Sequence, residues 1–337
     1  MPAFQAPTIQ VTVDGTPIYG LLRASVVATN SFCADTYALT FAIGVQPQND
    51  IGFWSGLTSG VVAVSAVQTS PYGPISNPLI TGIIDGIGID PVHGVATVEG
   101  RDLSGRLVDC YRQQDFVNQT ASEIVATIAQ YHGLPAQVTA TDGNVGRYYA
   151  DGYTKLSLGQ YSRLQSDWDL IVELAREAAF DVYVQGTSLY FQPPTAPTGA
   201  LVGLSLSEVQ GLFVERNLNV SLNATARVQS WNSRDMASYS SLPTQPPGAG
   251  SLPFLFSGSN YTSQQVTDSM SQYGAELTRL ATTLRIEMPW NPALTPRTVI
   301  LLSGTNSVLD RAYRIDTVES RFSGLTGSEQ TIFACQI

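Results

Sequence analysis

Through residues 1–108 apolar and polar residues alternate in short runs, and a period of two points to strands. Ile9, Val11 and Val13 alternate with polar neighbours, and Asp14-Gly15 follows as a hairpin turn signal. Further runs of the same kind span Tyr19–Val27, Thr36–Ile43, Gly60–Gln68, Leu79–Ile87 and Gly94–Gly100. Asn49-Asp50, Pro71-Tyr72-Gly73-Pro74 and Asp90-Pro91 separate them as turns. Six short strands at this spacing predict a small closed barrel or a sandwich. Closure would hide sheet edges that otherwise recruit other chains.

The period changes after residue 108. Thr120-Ala121-Ser122-Glu123 is a capping-box pattern, Ile124, Val125, Ile128 and Ala129 recur at helical spacing, and Gly133 stands where that helix should stop. A second helix opens at Ser166, with Asp167 and Asp169 in its first turn, where the helix dipole favours negative charge. Ile171, Leu174, Ala175 and Ala178 form its apolar stripe. Phe180–Val184 and Ser188–Phe191 flank Gly186-Thr187 as a hairpin, and Gln192-Pro193-Pro194-Thr195-Ala196-Pro197 reads as a stiff connector.

Alternation returns at Leu212–Val214 and Asn219–Gln229. Residues 236–265 are rich in Ser, Pro and Gly, with Pro243, Pro246, Pro247 and Pro253, and read as an inserted loop. A helix over Gln264–Leu284 follows, carrying Val266, Met270, Tyr273, Leu277 and Leu280 on one side. Thr298–Leu302, Ala312–Phe322 and Glu329–Cys335 are again strand-like, with a polar turn at Ser323–Gly327. The pattern predicts an α+β, mainly β chain, in which two small β-barrel domains flank an α/β domain. The first barrel takes residues 1–108, and the α/β domain, with two helices and a hairpin, takes 109–199. The second barrel takes 200–235 and 281–337, interrupted by a loop-and-helix insertion at 236–280.

Composition narrows the function. Only 13% of the 337 residues are charged, against about 25% in an average globular chain, while 43% are hydrophobic. Such a chain buries large cores and presents a surface of Ser, Thr, Gln, Asn and Gly, suited to extensive subunit contacts. The net charge of -10 and the lack of Lys/Arg runs argue against a nucleic-acid grip, which scales with neutralised phosphates. Cys33, Cys110 and Cys335 are too few and too scattered for a disulfide framework, and are expected to be buried free thiols. The first ten residues carry no secretory-signal pattern, and the longest apolar run, near Val61–Val67, is far short of the ~20 residues that span a bilayer. Assembly in a cytoplasm, with no membrane anchor, is the expectation.

No catalytic, cofactor-binding or metal-ligating residue stands out. Of the two histidines, His132 is expected to cap carbonyls at a helix C-terminus and His93 to sit in a surface turn after Asp90-Pro91. Neither has a Cys, Asp or Glu at zinc-ligand spacing. Gly86-Ile87-Gly88 lacks the third glycine and following helix of a phosphate loop, and reads as a β-turn. Glycosidic cleavage needs two acids across a cleft, whereas Asp169 and Glu173 share one helix face. Asn118-Gln119-Thr120, Asn223-Ala224-Thr225 and Asn260-Tyr261-Thr262 match the glycosylation pattern but carry no weight without a secretory signal. The fifteen tyrosines, Tyr148, Tyr149 and Tyr153 among them, suit either an ordinary β surface or an interface.

Three stretches together resemble the phage tail baseplate hub family, the late-control-gene-D-like group related to the N-terminal part of type VI secretion spike proteins. They are VATVEGRDLSGRLVDC; then TASEIVATIAQYHGL with SDWDLIVELAREAAFDVYVQGTSLYFQPP; then NPALTPRTVILL with AYRIDTVESRFSGLTG. The likeness covers roughly residues 95–192 and 285–335, and the helix–linker–helix–hairpin block is its most specific part. It transfers no catalytic residue. What it implies is a homotrimer whose paired barrels make a pseudo-six-fold ring. That ring adapts a six-fold tail tube protein to a three-fold central spike protein beside other baseplate proteins, and leaves a channel for DNA in a virion assembled in the host cytoplasm. The chain stops at Ile337, directly after the second barrel, so the spike is expected to be a separate polypeptide. Two other classes stay open: a tail-tip cell-wall hydrolase, and a carbohydrate- or receptor-binding β protein.

Overall fold

The computed structural model describes residues 7–30, 32–44, 49–70, 73–148, 154–156, 165–194, 201–218, 224–232, 236–241, 252–259, 261, 263–325 and 327–337. The expectations placed on Tyr149, Tyr153, Pro197, Pro243, Pro246 and Pro247 lie outside these residues. The fold is mainly β, with one 13-stranded sheet running through most of the chain.

The alternation at the N-terminus becomes β1 (Thr8–Val13), β2 (Thr16–Ile18), β3 (Leu21–Thr29), β4 (Thr36–Ala42), β5 (Val61–Ser70), β6 (Gly73–Asp90) and β7 (Val95–Asp102). Asp14 and Gly15 take φ of 48° and 79°, the left-handed pair that a tight hairpin requires, so the turn signal and the β1–β2 register agree. The strands lie in the order β3-β4-β7-β6-β5-β1-β2 and wrap one core that includes Val11, Val26, Leu39, Phe41, Val64 and Val98. The short helix α1 (Ile51–Gly56) plugs this core with Trp54, whose indole N–H donates to Asn49 Oδ1 at 2.7 Å. Asp50 caps that helix by accepting from Phe53 N, so the segment read as a turn is a helix start. Gly86-Ile87-Gly88 is no turn either: it lies inside β6, where the register slips between Ile84 and Gly86. Glycine marks a bulge and a close approach here, because a Cβ on Gly88 would press on the Thr97 hydroxyl at 2.6 Å.

The central block holds α2 (Gly105–Val108), β8 (Tyr111–Arg112), α3 (Ala121–Tyr131), β9 (Ala136–Val138), β10 (Arg147–Tyr148), β11 (Lys155–Leu156), β12 (Gln165–Ser166), α4 (Asp167–Ala178), β13 (Asp181–Gln185) and β14 (Ser188–Gln192). The Thr120–Glu123 capping box is made in both directions, and Gly133 ends the helix region at φ 66°. Ser166 caps α4, and Ala179 closes it in the left-handed conformation. The stripes of the two helices, with Val182, Leu189 and Phe191 of the hairpin, form a second core. Fully burying one such Ile or Leu contributes roughly 1.5–3 kcal/mol.

The C-terminal part holds β15 (Val202–Ser205), β16 (Gly211–Arg216), β17 (Ala224–Asn232), β18 (Ala237–Ser241), β19 (Leu252–Ser259), α5 (Ser263–Arg279), β20 (Thr282–Pro289), β21 (Val299–Ser303), β22 (Ala312–Ser323) and β23 (Gly327–Gln336). The run β16-β20-β23-β22, with β21 and β15 beyond, surrounds a third core of Leu284, Ile286, Ile300, Tyr313, Ile315 and Ile332. Two boundaries differ from the sequence pattern. The helix stops at Arg279, and Thr282–Pro289 is a strand, because alternating Thr282, Leu284, Ile286 and Met288 all turn inward. The strand at 224–232 does not join the large sheet. It lies between β18 and β19 under α5, so the inserted unit is a small α/β layer and not a loop with a helix.

The two β parts are joined edge to edge. β22 pairs with β23 on one side and with β3 on the other, over Thr317↔Thr29 to Ser323↔Arg23. Phe322 and Trp290 cross this seam and pack into the first core. Closure of the first part on itself, expected from the strand count, is replaced by this seam: β3 spends its free edge on β22, and β2 and β3 are not paired with each other. Among the described residues no helix is long and apolar enough to cross a membrane.

Candidate functional site

The loop from Thr29 to Asp35 joins β3 to β4 and is where the three cores meet. Thr29 donates its N–H and hydroxyl to Asp35 Oδ1 at 2.7 and 3.1 Å, which folds the loop back on itself. The Arg297 guanidinium donates to the Thr29 and Asn30 carbonyls at 3.2 and 2.7 Å and lies 3.5 Å above the Tyr183 ring. Arg314 pairs with Asp181 and also reaches Asn30 Oδ1. Asn30 in turn donates to Asp316, which holds Arg279 at 3.2 Å and accepts from the Cys335 thiol at 2.6 Å. From the central block, Trp168 donates to the Phe32 carbonyl, and Phe32 N–H donates to Val182 O. This loop therefore meets the C-terminal β part through charge-assisted hydrogen bonds, roughly twice as strong as neutral ones, and the α/β part through the two neutral bonds of Phe32.

The buried acids behind this loop are shifted upward. Burial is the main cause for Asp35, pushed up to about 6 against its Thr29 bonds and Arg297. Asp102, at the end of β7, is pushed up to about 7 by burial and then by the Asp35 charge, against hydrogen bonds from Ser104. Burial lowers Arg297.

The residues weighed for chemistry fall in three places. His93 is in an exposed turn, its Nδ1 2.7 Å from Asp90 Oδ2. Asp169 and Glu173 line a cleft of about 750 Å³ between α4 and the inserted layer. Glu177 stands on the same α4 wall, and the facing wall brings Ser257, Tyr261 and Tyr273. Among the described lining residues the three carboxylates all stand on α4, on one side of the cleft, whereas glycosidic cleavage needs two acids across it. His132 caps α3 through its backbone N–H to Ile128 O, but its ring turns away from the helix end and sits 2.6 Å from Asp167 Oδ2. Cys110 joins this pair, so thiol, imidazole and carboxylate lie within 4.8 Å of one another. Arg112 grips both oxygens of the carboxylate, sharing Oδ2 with His132, and lies 3.8 Å over the Tyr131 ring. Burial and the Asp167 charge push the Cys110 thiol up. No sequence spacing announces this cluster, because its members come from three separate places: the link before β8, the residue that ends α3 and the first residue of α4. The cysteines are all free; Cys335 is buried as expected, but Cys33 is exposed.

Large apolar side chains stand on the outside of the β parts. Phe213 on β16 is 65% exposed, and Arg285 separates it from the exposed Phe333 in the ladder β16-β20-β23. On the inserted layer Trp231, Met236 and Leu255 are exposed.

No known family model matches the sequence, and no curated protein matches it. Solved structures do. A tail protein from Neisseria meningitidis MC58 superposes with a TM-score of 0.69 at 13% identity, covering 98% of this chain and 97% of its own. The 43 kDa tail protein of prophage MuSo2 from Shewanella oneidensis gives 0.66 at 12% identity, covering 98% and 96%. The fold is that of phage tail proteins. An E. coli component of the type VI secretion system, described as structurally similar to the T4 tail proteins gp27 and gp5, gives 0.58 at 13% identity. It matches 97% of this chain and 76% of its own length. At these identities the chain shares an architecture with the tail proteins and a part of the secretion component, while its side chains differ almost throughout.

Proposed function

We propose that this chain is the structural hub of a phage tail baseplate, working without catalysis. Three copies would form a ring whose two β parts per chain imitate six-fold symmetry, matching a six-fold tail tube on one side and a three-fold spike on the other. The observation that carries this reading is the β22–β3 seam, which sets two curled sheets side by side as one continuous surface. A heterologous ring of this kind closes without leaving open ends. We read three domains, at 1–108, at 109–199 and at 200–235 with 281–337, the last carrying the insertion 236–280; the three cores support that reading, with Leu103 and Leu107 lent to the second core and Trp290 and Phe322 to the first. The net charge of -10 suits a lumen that lets DNA pass without holding it. The inserted layer at 224–279, with its exposed Trp231, Met236 and Leu255, would face a neighbouring baseplate component. Electron microscopy of particles carrying a tagged copy tests the reading. A ring of apparent six-fold symmetry containing three copies at the tube–spike boundary supports it, and label elsewhere in the particle overturns it. Clearing of peptidoglycan in a zymogram by the purified chain would replace it with the hydrolase reading.

A further inference from the structure

Three donor types that zinc and cobalt favour converge beside the first turn of α4. They are the Cys110 thiol, the His132 imidazole and the Asp167 carboxylate, all mutually within 4.8 Å. A tetrahedral ion with bonds of about 2.0–2.3 Å sets its ligands about 3.3–3.8 Å apart, so small side-chain rotations would close the three on an ion. We propose that Cys110, His132 and Asp167 form a zinc-type site, with water in the fourth position, that staples the entry of the α/β part to both of its helices.

The backbone already holds the three positions. The Cys110 carbonyl accepts from Asp167 N at 2.9 Å, which ties the two chain segments together. His132 is fixed at the end of α3 by its own N–H, and Asp167 is the first residue of α4 after the Ser166 cap. Of the three, Asp167 stands on a helix, where a ligand is placed more precisely than on a loop, and the Asp167 N–H bond ties the Cys110 backbone to it. The side chains of His132 and Asp167 are 8% and 6% exposed, whereas Cys110 is only half-buried and leaves an approach from solvent. Arg112 is the competitor, because its Nη2 lies 2.7 Å from Asp167 Oδ2. It need not leave. Its Nε reaches Oδ1 at 3.1 Å and its plane rests on Tyr131, so the carboxylate can face the ion with one oxygen and the guanidinium with the other. Outer partners of that kind orient metal-bound carboxylates. On binding, sulfur bonds the metal and its proton leaves to solvent. For Nε2 to give its lone pair, the proton it holds towards Asp167 Oδ2 leaves while Nδ1 takes one from solvent, so the neutral imidazole and the thiol together release one proton per ion.

Cobalt titration of the full chain tests this, in a Cys33→Ser background that removes the exposed thiol. One equivalent of cobalt should raise a near-ultraviolet thiolate-to-cobalt band that zinc abolishes. Cys335 is buried against Asp316 and is not open to the ion. Adding Cys110→Ser should remove the band. His132→Gln, which keeps the thiol, should weaken cobalt binding at least as much as the about 10–100-fold typical of losing an outer partner. Zinc should raise the melting temperature of the Cys33→Ser chain and leave the Cys110→Ser chain unmoved. A Cys33→Ser chain that shows no band overturns the proposal whatever the variants do. So does a band that survives Cys110→Ser, and either result leaves the assembly reading standing.

Discussion

The two β parts solve one problem in opposite ways. In the first, seven strands follow one another almost without interruption, and neighbours in sequence are mostly neighbours in the sheet. In the second, β16 pairs with β20 across an insertion that contains three strands and a helix, and β15 runs parallel to β21 from nearly a hundred residues away. Where β6 crosses β7 a Cβ on Gly82 or Gly100 would run into backbone, whereas Gly203 on β15 stands in open space. The difference teaches that sheet closure and chain continuity are separable. A barrel-like core forms from a split chain provided its partner sheet supplies the last edge. Here β22 supplies it to both parts at once.

If that shared strand couples the parts, damage to either core should unfold both. Phe41 is fully buried and packs its ring at a tilt against Trp54, centroids 5.3 Å apart, so Phe41→Ala should cost about 3–5 kcal/mol. Ile286→Ala, at the centre of the other core, should cost about 2–5 kcal/mol. Differential scanning calorimetry is the check. One transition that moves as a unit in both variants supports coupling through the seam. Two transitions, each variant moving only its own, would mean that the parts are independent beads. Arg314→Met attacks the junction itself. It leaves Asp181 without its ion-pair partner at a nearly buried position and should cost about 3 kcal/mol, with the calorimetric peak splitting in two.

A pH series separates the junction from the cores. Asp102 is raised from 3.8 to about 7 in the folded chain, so the folded state holds its proton more tightly than the unfolded one. Stability from this group is then greatest below about pH 4, declines as pH climbs towards 7, and stays low above that. Asp102→Asn keeps an oxygen for the Ser104 N–H and removes the buried charge. It should match the wild type at pH 4 and exceed it at pH 8 by an amount of the order of 2–4 kcal/mol, measured by urea unfolding. Equal stability of both chains at every pH would mean that Asp102 is hydrated and carries no penalty.

Local signals were legible in the sequence, and long-range ones were not. The Thr120–Glu123 box, the Ser166 cap, the Asp14-Gly15 turn and the Gly186 hairpin are written in adjacent residues, whose chemistry decides the backbone within one turn. The tail-protein resemblance rested on the same local blocks. The seam joins residues such as Asn30 and Asp316, 286 positions apart, and no period or cap records such a pairing. The strand at 224–232 alternates like its neighbours, so pattern alone could not say which sheet would take it. The Cys110–His132–Asp167 cluster escaped for the same reason: ligand spacing is read along the chain, and these three are brought together by packing. Gly86-Ile87-Gly88 was misread because glycine signals a turn and a close strand crossing alike.

Glycine gives the gentlest test of the contrast between the two parts. A Cβ on Gly100 would enter the space of the Ile83 carbonyl oxygen and come 2.6 Å from the Tyr37 hydroxyl, which donates to that same carbonyl at 2.8 Å. Backbone cannot step aside as a flexible side chain would, so Gly100→Ala should cost about 1–3 kcal/mol and disturb the β6–β7 pairing. Gly203 on β15 has no neighbour within 4 Å of the position a Cβ would take, and its backbone is not left-handed. Gly203→Ala should change stability by no more than about 0.5 kcal/mol, with a tendency to stabilise because the unfolded chain loses freedom. Chemical denaturation midpoints of the two alanine variants settle the matter. Equal costs would mean that the β6–β7 crossing yields as easily as the open position on β15, and the contrast between these two sites would fail.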